Sequence, residues 1–164
     1  MGEDAFHIYR RRLPHWRMQG ATYFVTWRLA PQQPPLAPVE RNLVRNALRH
    51  FDGQRYRLDA FVVMDDHVHA LLHPLLGHVL ESILHAWKSY SAHALGRADR
   101  HGLPVWQHES FDRIVRDDQE FWEKMRYIMG NPWKRWPTLE AYEWVHPTPI
   151  SSPHETPGPK ADPE

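Results

Sequence analysis

Short stretches that alternate apolar with polar residues, or that are rich in β-branched and aromatic residues, predict strands along the chain. The predicted strands span residues 21–29, 55–64, 67–73, 105–107 and 111–115. The second of these alternates and then becomes wholly apolar, as a central strand does. Only the dipeptide Asp65-Asp66 separates it from the third strand, so the two are predicted to pair as a β-hairpin.

Apolar residues at three- and four-residue intervals predict three helices. They span residues 39–51, 77–96 and 118–130, the last of them closed by Asn131-Pro132. The resulting order is β-α-β-β-α-β-α, with or without a second short strand before the last helix. This order favours an α+β fold, a ferredoxin-like antiparallel sheet with helices packed on one face.

Prolines mark the end of the predicted folded unit. Six of the chain's fifteen prolines fall in the last eighteen residues, a stretch with almost nothing to bury. We therefore expect a folded domain over residues 5–145 and a Pro-rich disordered tail over 146–164. No apolar run is long enough to cross a membrane, and the N-terminus lacks the apolar core of a signal peptide, so we expect a cytoplasmic protein with no membrane partner.

Composition changes this picture in two ways. The 164-residue chain has no cysteine, which excludes disulfides, thiolate zinc sites and cysteine nucleophiles. Its formal net charge is zero, but residues 10–57 contain ten arginines against Glu40 and Asp52, a local balance of +8. So uneven a distribution indicates a surface that binds a polyanion.

The triplet His67-Val68-His69 lies in the third predicted strand. Residues i and i+2 of a strand point to the same face, so two imidazoles could bind one ion from a rigid platform. The chain has thirteen histidines, and the triplet alone leaves a metal site and a chance pair equally open. Structural zinc requires four protein ligands, whereas two histidines, an oxygen ligand and open positions suit Mg²⁺ or Mn²⁺.

Tyr127 and Asn131 are four residues apart and therefore share one face of the last predicted helix. An unperturbed tyrosine is only about 0.1% phenolate at pH 7, so it attacks only an electrophile that is already polarised, such as a metal-bound phosphodiester. A tyrosine that merely packs, and an asparagine that merely ends the helix, are the alternatives. Tyr90 on the preceding helix is a competing nucleophile, although no metal-type side chain follows it one turn later.

Three stretches together resemble the REP-associated tyrosine transposases, within the HUH single-tyrosine transposases. They are YRRRLPHWRMQGATYFVTWRL, FVVMDDHVHALLHP and VWQHESFDRIVRDDQEFWEKMRYIMGNP, and the resemblance covers about residues 9–136. The family usually has proline where Asp65 stands, so this chain places an acidic pair beside the expected ion.

The resemblance implies a role for four residues. His67 and His69 match the family's metal-binding histidines, Tyr127 matches its catalytic tyrosine, and Asn131 occupies the position of the helix-borne metal ligand. In that family the tyrosine attacks a DNA phosphodiester and leaves a 5′-phosphotyrosine and a free 3′-OH. The implied function is a metal-dependent endonuclease and strand transferase of single-stranded DNA, with hairpin-forming palindromic repeats as the substrate and Mg²⁺ or Mn²⁺ as the cofactor.

Arginines and one tryptophan form the predicted DNA-binding surface, because arginine contacts phosphates and an aromatic ring stacks on an unpaired base. In the N-terminal arm its members are Arg10, Arg11, Arg12, Trp16 and Arg17, and the alternative for them is a solvated basic arm. The resemblance implies that Arg41, Arg45 and Arg49 on the first helix also take part. Two alternatives stay open, a DNA-hairpin-binding protein without catalysis and a metal-dependent phosphoester hydrolase. Both a monomer and a homodimer are compatible with the sequence.

Overall fold

Five strands and three helices make up the part of the chain that the structure describes. The computed structural model describes residues 20–97, 100 and 104–147. The strands are β1 (Thr22–Arg28), β2 (Tyr56–Val63), β3 (His67–Pro74), β4 (Phe111–Val115) and β5 (Val145–His146). The helices are α1 (Pro38–Arg49), α2 (Leu80–Arg97) and α3 (Asp118–Arg135). None of these helices is both long enough and apolar enough to span a membrane.

The strands form one antiparallel sheet in the spatial order β4-β1-β3-β2-β5. The first six elements, from β1 to β4, are the βαββαβ unit of the ferredoxin-like fold, so the predicted α+β class is confirmed. Strand β3 is central, and it joins β2 through the predicted hairpin, in which Met64 N donates to His67 O over 2.8 Å. The predicted strand over 105–107 is wrong, because only Trp106 pairs there, in an isolated bridge with Leu29.

Side chains alternate across the sheet into two separate apolar cores. Val25, Trp27 and Val68 face helices α1 and α2 and pack with apolar residues of these helices in the first core. Phe24 and Leu71 face the opposite way, into a second core built with helix α3. The prediction that the helices pack on one face is therefore correct for α1 and α2 and wrong for α3, because the sheet buries apolar side chains on both faces.

Helix α3 starts where expected and ends later than expected. The side chain of Asp117 accepts a hydrogen bond from Glu120 N over 2.8 Å and caps the N-terminus. The prediction that Asn131-Pro132 closes the helix is wrong, since the helix continues to Arg135. Pro132 offers no N–H, but Trp133 is buried in the second core, and this packing maintains the last turn against the proline's preference.

The predicted domain boundary at residue 145 lies within strand β5. Val145 pairs with Val62, and His146, the first residue of the predicted tail, still pairs with Phe61. Residues 148–164 of that tail, and residues 5–19 of the predicted domain, lie outside the described part of the chain.

Strand β2 contains a buried carboxylate, Asp59. Asp59 lies at an irregularity between Leu58 and Ala60 in the β2–β3 pairing and accepts two hydrogen bonds from Arg57, at 2.7 and 3.1 Å. Burial raises the pKa of Asp59 from 3.8 to about 6, and Arg57 offsets only part of this effect. The native state therefore holds the proton more tightly than the unfolded chain does.

We expect Asp59→Asn to become relatively more stabilising as the pH rises from 4 to 8. The contribution of a raised carboxyl pKa to stability is fully present below about pH 3.8 and is lost as the pH rises through about 6. The difference in unfolding free energy between variant and native protein should change by about 1–3 kcal/mol over that range. Denaturant unfolding at each pH measures it, and Asp112→Asn at an exposed position of β4 controls for net charge. A difference that stays constant with pH would contradict the prediction.

Candidate active site

His67 and His69 lie next to each other on the central strand, on the sheet face that helix α3 covers. Their rings are 4.7 Å apart between centroids, and their exposed fractions are 8% and 4%. Val68 between them is buried in the opposite core. The alternation of a strand thus places both imidazoles on one face and anchors the strand through the residue between them.

Each histidine has its Nδ1 atom engaged by a neighbouring side chain. Asp66 Oδ1 lies 2.6 Å from Nδ1 of His67, and Thr26 Oγ1 lies 2.7 Å from Nδ1 of His69. Thr26 comes from β1, where it is directly paired with His69 in the sheet register. An ionised carboxylate only accepts hydrogen bonds, so the proton of His67 is on Nδ1 and Nε2 is the nitrogen it can offer to a metal ion.

The electrostatic surroundings keep His69 neutral. Burial lowers the pKa of His69 to about 3, and the proximity of His67, Arg28 and Lys124 adds to that effect. Burial by itself would raise the pKa of Asp66, but His67, Arg135 and Arg28 outweigh it and lower the pKa. The pair is therefore a neutral imidazole beside an imidazole held by a carboxylate, and a neutral imidazole is the form that binds metals.

Helix α3 brings Tyr127 to the histidines. The Tyr127 ring lies 5.2 Å from the ring of His69 between centroids, in an edge-to-face arrangement. Phe24 of β1 contacts both, stacked on His69 at 5.4 Å and edge-on to Tyr127 at 6.0 Å. Tyr127 is 39% exposed, so its side chain stays accessible from solvent although its ring contacts the buried His69.

Asn131 follows Tyr127 by one helical turn and is buried. Among the described residues, no cluster of three or more His, Asp or Glu side chains is arranged to hold a metal ion. The role of Asn131 as a third metal ligand beside His67 and His69 stays a prediction that rests on its position one turn after Tyr127. Two imidazoles and one neutral oxygen fit an ion with open coordination positions better than a closed structural site.

An arginine at the end of α3 links the helix to the β-hairpin. Arg135 forms ion pairs with Asp65 at 3.2 Å and with Asp66 at 3.4 Å, and Asp66 in turn binds His67. The acidic pair was visible in the sequence as a departure from the family's proline. Arg135 gave no such signal, because the helix was predicted to end before it.

The structure does not place the other predicted residues at this site. Arg41 stacks on the ring of Trp144 at 4.5 Å, Arg45 donates to Asn42, and Arg49 lies over the ring of Phe61. These arginines lie near β2 and β5, and their role in DNA binding stays a prediction. The N-terminal members of that predicted surface, Arg10, Arg11, Arg12, Trp16 and Arg17, lie outside the described residues.

Tyr90 is separated from the histidines by the sheet. It belongs to α2, the helix that packs in the opposite core, and its ring stacks with His50 at 6.3 Å. Only Tyr127 of the two candidate tyrosines contacts a histidine of the pair.

Comparison with solved structures finds similar proteins, whereas the two sequence comparisons find none. No protein-family model matches this chain, and no curated protein sequence matches it. A REP-associated tyrosine transposase bound to a REP hairpin is similar over 76% of this chain and 74% of its own, with 22% identity and a TM-score of 0.61. The chain shares the fold of this transposase structure.

A second structure supports the same assignment of fold. It is a protein from Deinococcus radiodurans R1 assigned to the transposases, and it matches 71% of this chain and 95% of its own. The identity is again 22%, with a TM-score of 0.52. The transposase fold thus agrees with the resemblance seen in the three sequence stretches.

We expect Thr26→Val to weaken the binding of Mn²⁺ by about 10- to 100-fold. Removing the hydroxyl leaves His69 Nδ1 without the partner that orients the ring toward a metal. Titration calorimetry with Mn²⁺ measures the effect.

Thr22→Val is the matched control. The Thr22 hydroxyl makes the same kind of contact, 3.1 Å to Nδ1 of His73, on the same strand pair. Each variant should lose about 1 kcal/mol of stability. Equal Mn²⁺ affinity in both variants would show that Thr26 does not orient a metal ligand.

Proposed function

We propose that this protein is a tyrosine transposase, a metal-dependent endonuclease and strand transferase of single-stranded DNA. The observation on which the proposal rests is the contact between the accessible ring of Tyr127 and the buried His67–His69 pair, 5.2 Å from His69. A purely structural role for Tyr127 would not explain why the Nδ1 atoms of both neighbouring histidines are engaged by Asp66 and Thr26. The transposase fold of the two structural neighbours is consistent with the proposal.

The proposed reaction is an in-line substitution at a phosphodiester. The phenol oxygen of Tyr127 forms a bond to phosphorus and loses its proton, while the bond from phosphorus to the 3′ oxygen breaks. The 3′ oxygen takes up a proton, and the 5′ phosphate stays attached to Tyr127. Attack of a free 3′-OH on this phosphotyrosine releases the tyrosine and joins the strands, so the two steps balance without an oxidant or an energy donor.

The side chains around Tyr127 are suited to hold a divalent cation. His67 and His69 would supply imidazole nitrogens, Asn131 would supply an amide oxygen, and Asp66 and Thr26 orient the two rings. Mg²⁺ or Mn²⁺ bound there would polarise the phosphodiester and stabilise its developing charge. Within this set, the neutral His69 avoids repelling the cation.

DNA is the partner that this function requires, and the charge distribution supports it. The structural neighbour with the higher TM-score was solved bound to a REP hairpin. In this chain the excess of arginine between residues 10 and 57 would supply phosphate contacts, including those from Arg41, Arg45 and Arg49. We propose hairpin-forming single strands in the cytoplasm as the substrate class.

We expect Tyr127→Phe to abolish both the covalent DNA adduct and the nick. The change removes one oxygen and almost no volume, so the ring contacts with His69 and Phe24 persist while the nucleophile is lost. The loss should be several orders of magnitude in rate. Labelled single-stranded oligonucleotides incubated with Mn²⁺ and resolved on a denaturing gel show the adduct directly.

Tyr90→Phe is the matched control, because it removes the same oxygen from an exposed position on the other face of the sheet. It should retain the adduct. Nicking without any adduct in the native protein would favour a hydrolase, and hairpin binding with neither product would favour a non-catalytic binder.

We expect the double variant His67→Ala, His69→Ala to lose cleavage while keeping most of its affinity for DNA. The two imidazoles hold the predicted ion, whereas arginine contacts to phosphates provide most of the binding energy. Gel-shift assays and the adduct assay on the same preparation separate these effects. His78→Ala, outside the site on the loop before α2, controls for loss of a histidine. A double variant that cleaves at the native rate would disprove the metal site.

A further inference from the structure

Two lysines of helix α3 share one face with Tyr127 and Asn131. Lys124 precedes Tyr127 by three residues, and Lys134 follows Asn131 by three, so the four side chains lie within about 80° of the helix circumference. This lysine pair was not among the residues singled out in the sequence, because nothing in the local pattern distinguishes it from an ordinary solvated helix face.

Both lysines contact rings that form the site. Lys124 Nζ lies 4.8 Å from the centroid of Phe24, and Phe24 stacks on His69. Lys134 Nζ lies 4.6 Å from the centroid of Tyr127. The charge of Lys124 also contributes to the lowered pKa of His69, which is consistent with its position close to the imidazoles.

Neither lysine forms an ion pair with a carboxylate of the described residues. Four arginines of the described residues do form such pairs: Arg57, Arg100, Arg113 and Arg135. Among the described residues, no carboxylate therefore compensates the two ammonium groups, which lie beside a site that also contains Arg28 and Arg135. An anionic ligand would supply the missing charge.

The spacing of the two lysines indicates the kind of anion. The backbone positions of Lys124 and Lys134 are about 15 Å apart along the helix axis, with Tyr127 between them. The Lys134 ammonium reaches back to the Tyr127 ring, and the Lys124 ammonium lies over Phe24. A single phosphate at the Tyr127 hydroxyl accounts for only one position on this line. A chain of linked phosphates accounts for several.

We propose that Lys124 and Lys134 bind backbone phosphates of a single DNA strand on either side of the phosphodiester that Tyr127 attacks. The inference rests on the proposed function and adds a direction, since the strand would cross the site along the axis of α3. The lysines would then hold the substrate in register with the nucleophile.

The test measures how the affinity for an uncleaved strand depends on salt. A mixed-sequence single-stranded oligonucleotide is titrated in EDTA, so that binding is recorded without cleavage. Each of Lys124→Gln and Lys134→Gln should reduce the slope of log affinity against log salt by about 0.7, and the double variant by about 1.4. Lys124→Arg and Lys134→Arg keep the charge and should keep the native slope.

Arg97→Gln removes the same charge from an exposed position on α2, the helix on the opposite face, and should leave the slope unchanged. Native slopes in both lysine-to-glutamine variants, or an equal loss in Arg97→Gln, would overturn the proposal. Thermal unfolding of every variant excludes misfolding as the cause.

The outcome is independent of the nucleophile test. Adduct formation that survives in Tyr127→Phe would disprove the proposed chemistry and leave the lysine contacts intact. Native salt slopes together with loss of the adduct in Tyr127→Phe would do the reverse.

Discussion

The packing of helix α3 against the sheet is the constraint on which the candidate site depends. Phe121, Met125 and Ile128 bury one side of the helix in the second core. Burying three large apolar side chains stabilises this arrangement by several kcal/mol, whereas a ring contact such as that between Tyr127 and His69 adds only about 0.5–1.5 kcal/mol. The core therefore fixes the rotation of the helix, and the position of Tyr127 over His69 is a consequence of that rotation.

Neighbouring residues of strand β3 lie on opposite faces of the sheet and have different roles. Val68 packs toward α1 and α2, while its neighbours His67 and His69 project into the face covered by α3. The histidines thus sit on the most constrained strand of the fold, and the tyrosine sits on a separately packed helix. Beyond ring contacts, Arg135 joins the helix to the hairpin, but an exposed ion pair contributes only about 0–1 kcal/mol. Apolar packing, rather than this ion pair, determines the distance between nucleophile and histidines.

Charged side chains are distributed unevenly around the candidate site. Some carboxylates elsewhere in the described chain are paired with arginines, such as Glu40 with Arg100 and Glu120 with Arg113. Around the histidine pair, only Asp66 provides a negative charge in contact with a ring, and Lys124 and Lys134 have no carboxylate partner among the described residues. Two lysines beside the candidate nucleophile are thus available to an anionic substrate.

The sequence by itself determined the elements and the chemical candidates, because strand and helix periodicity and the His-Val-His and Tyr–Asn spacings are local properties. It predicted both ends of β4 correctly and the ends of the other elements to within three residues, except that α3 ends five residues later than predicted and β5 was not predicted. It did not determine that α3 covers the opposite face of the sheet or continues past Pro132, since burial of Trp133 and its neighbours outweighs the local preference of proline. Thr26, Phe24, Lys124 and Arg135 became part of the site only through strand register and helix packing. These contacts join residues more than forty positions apart, and no local pattern encodes them.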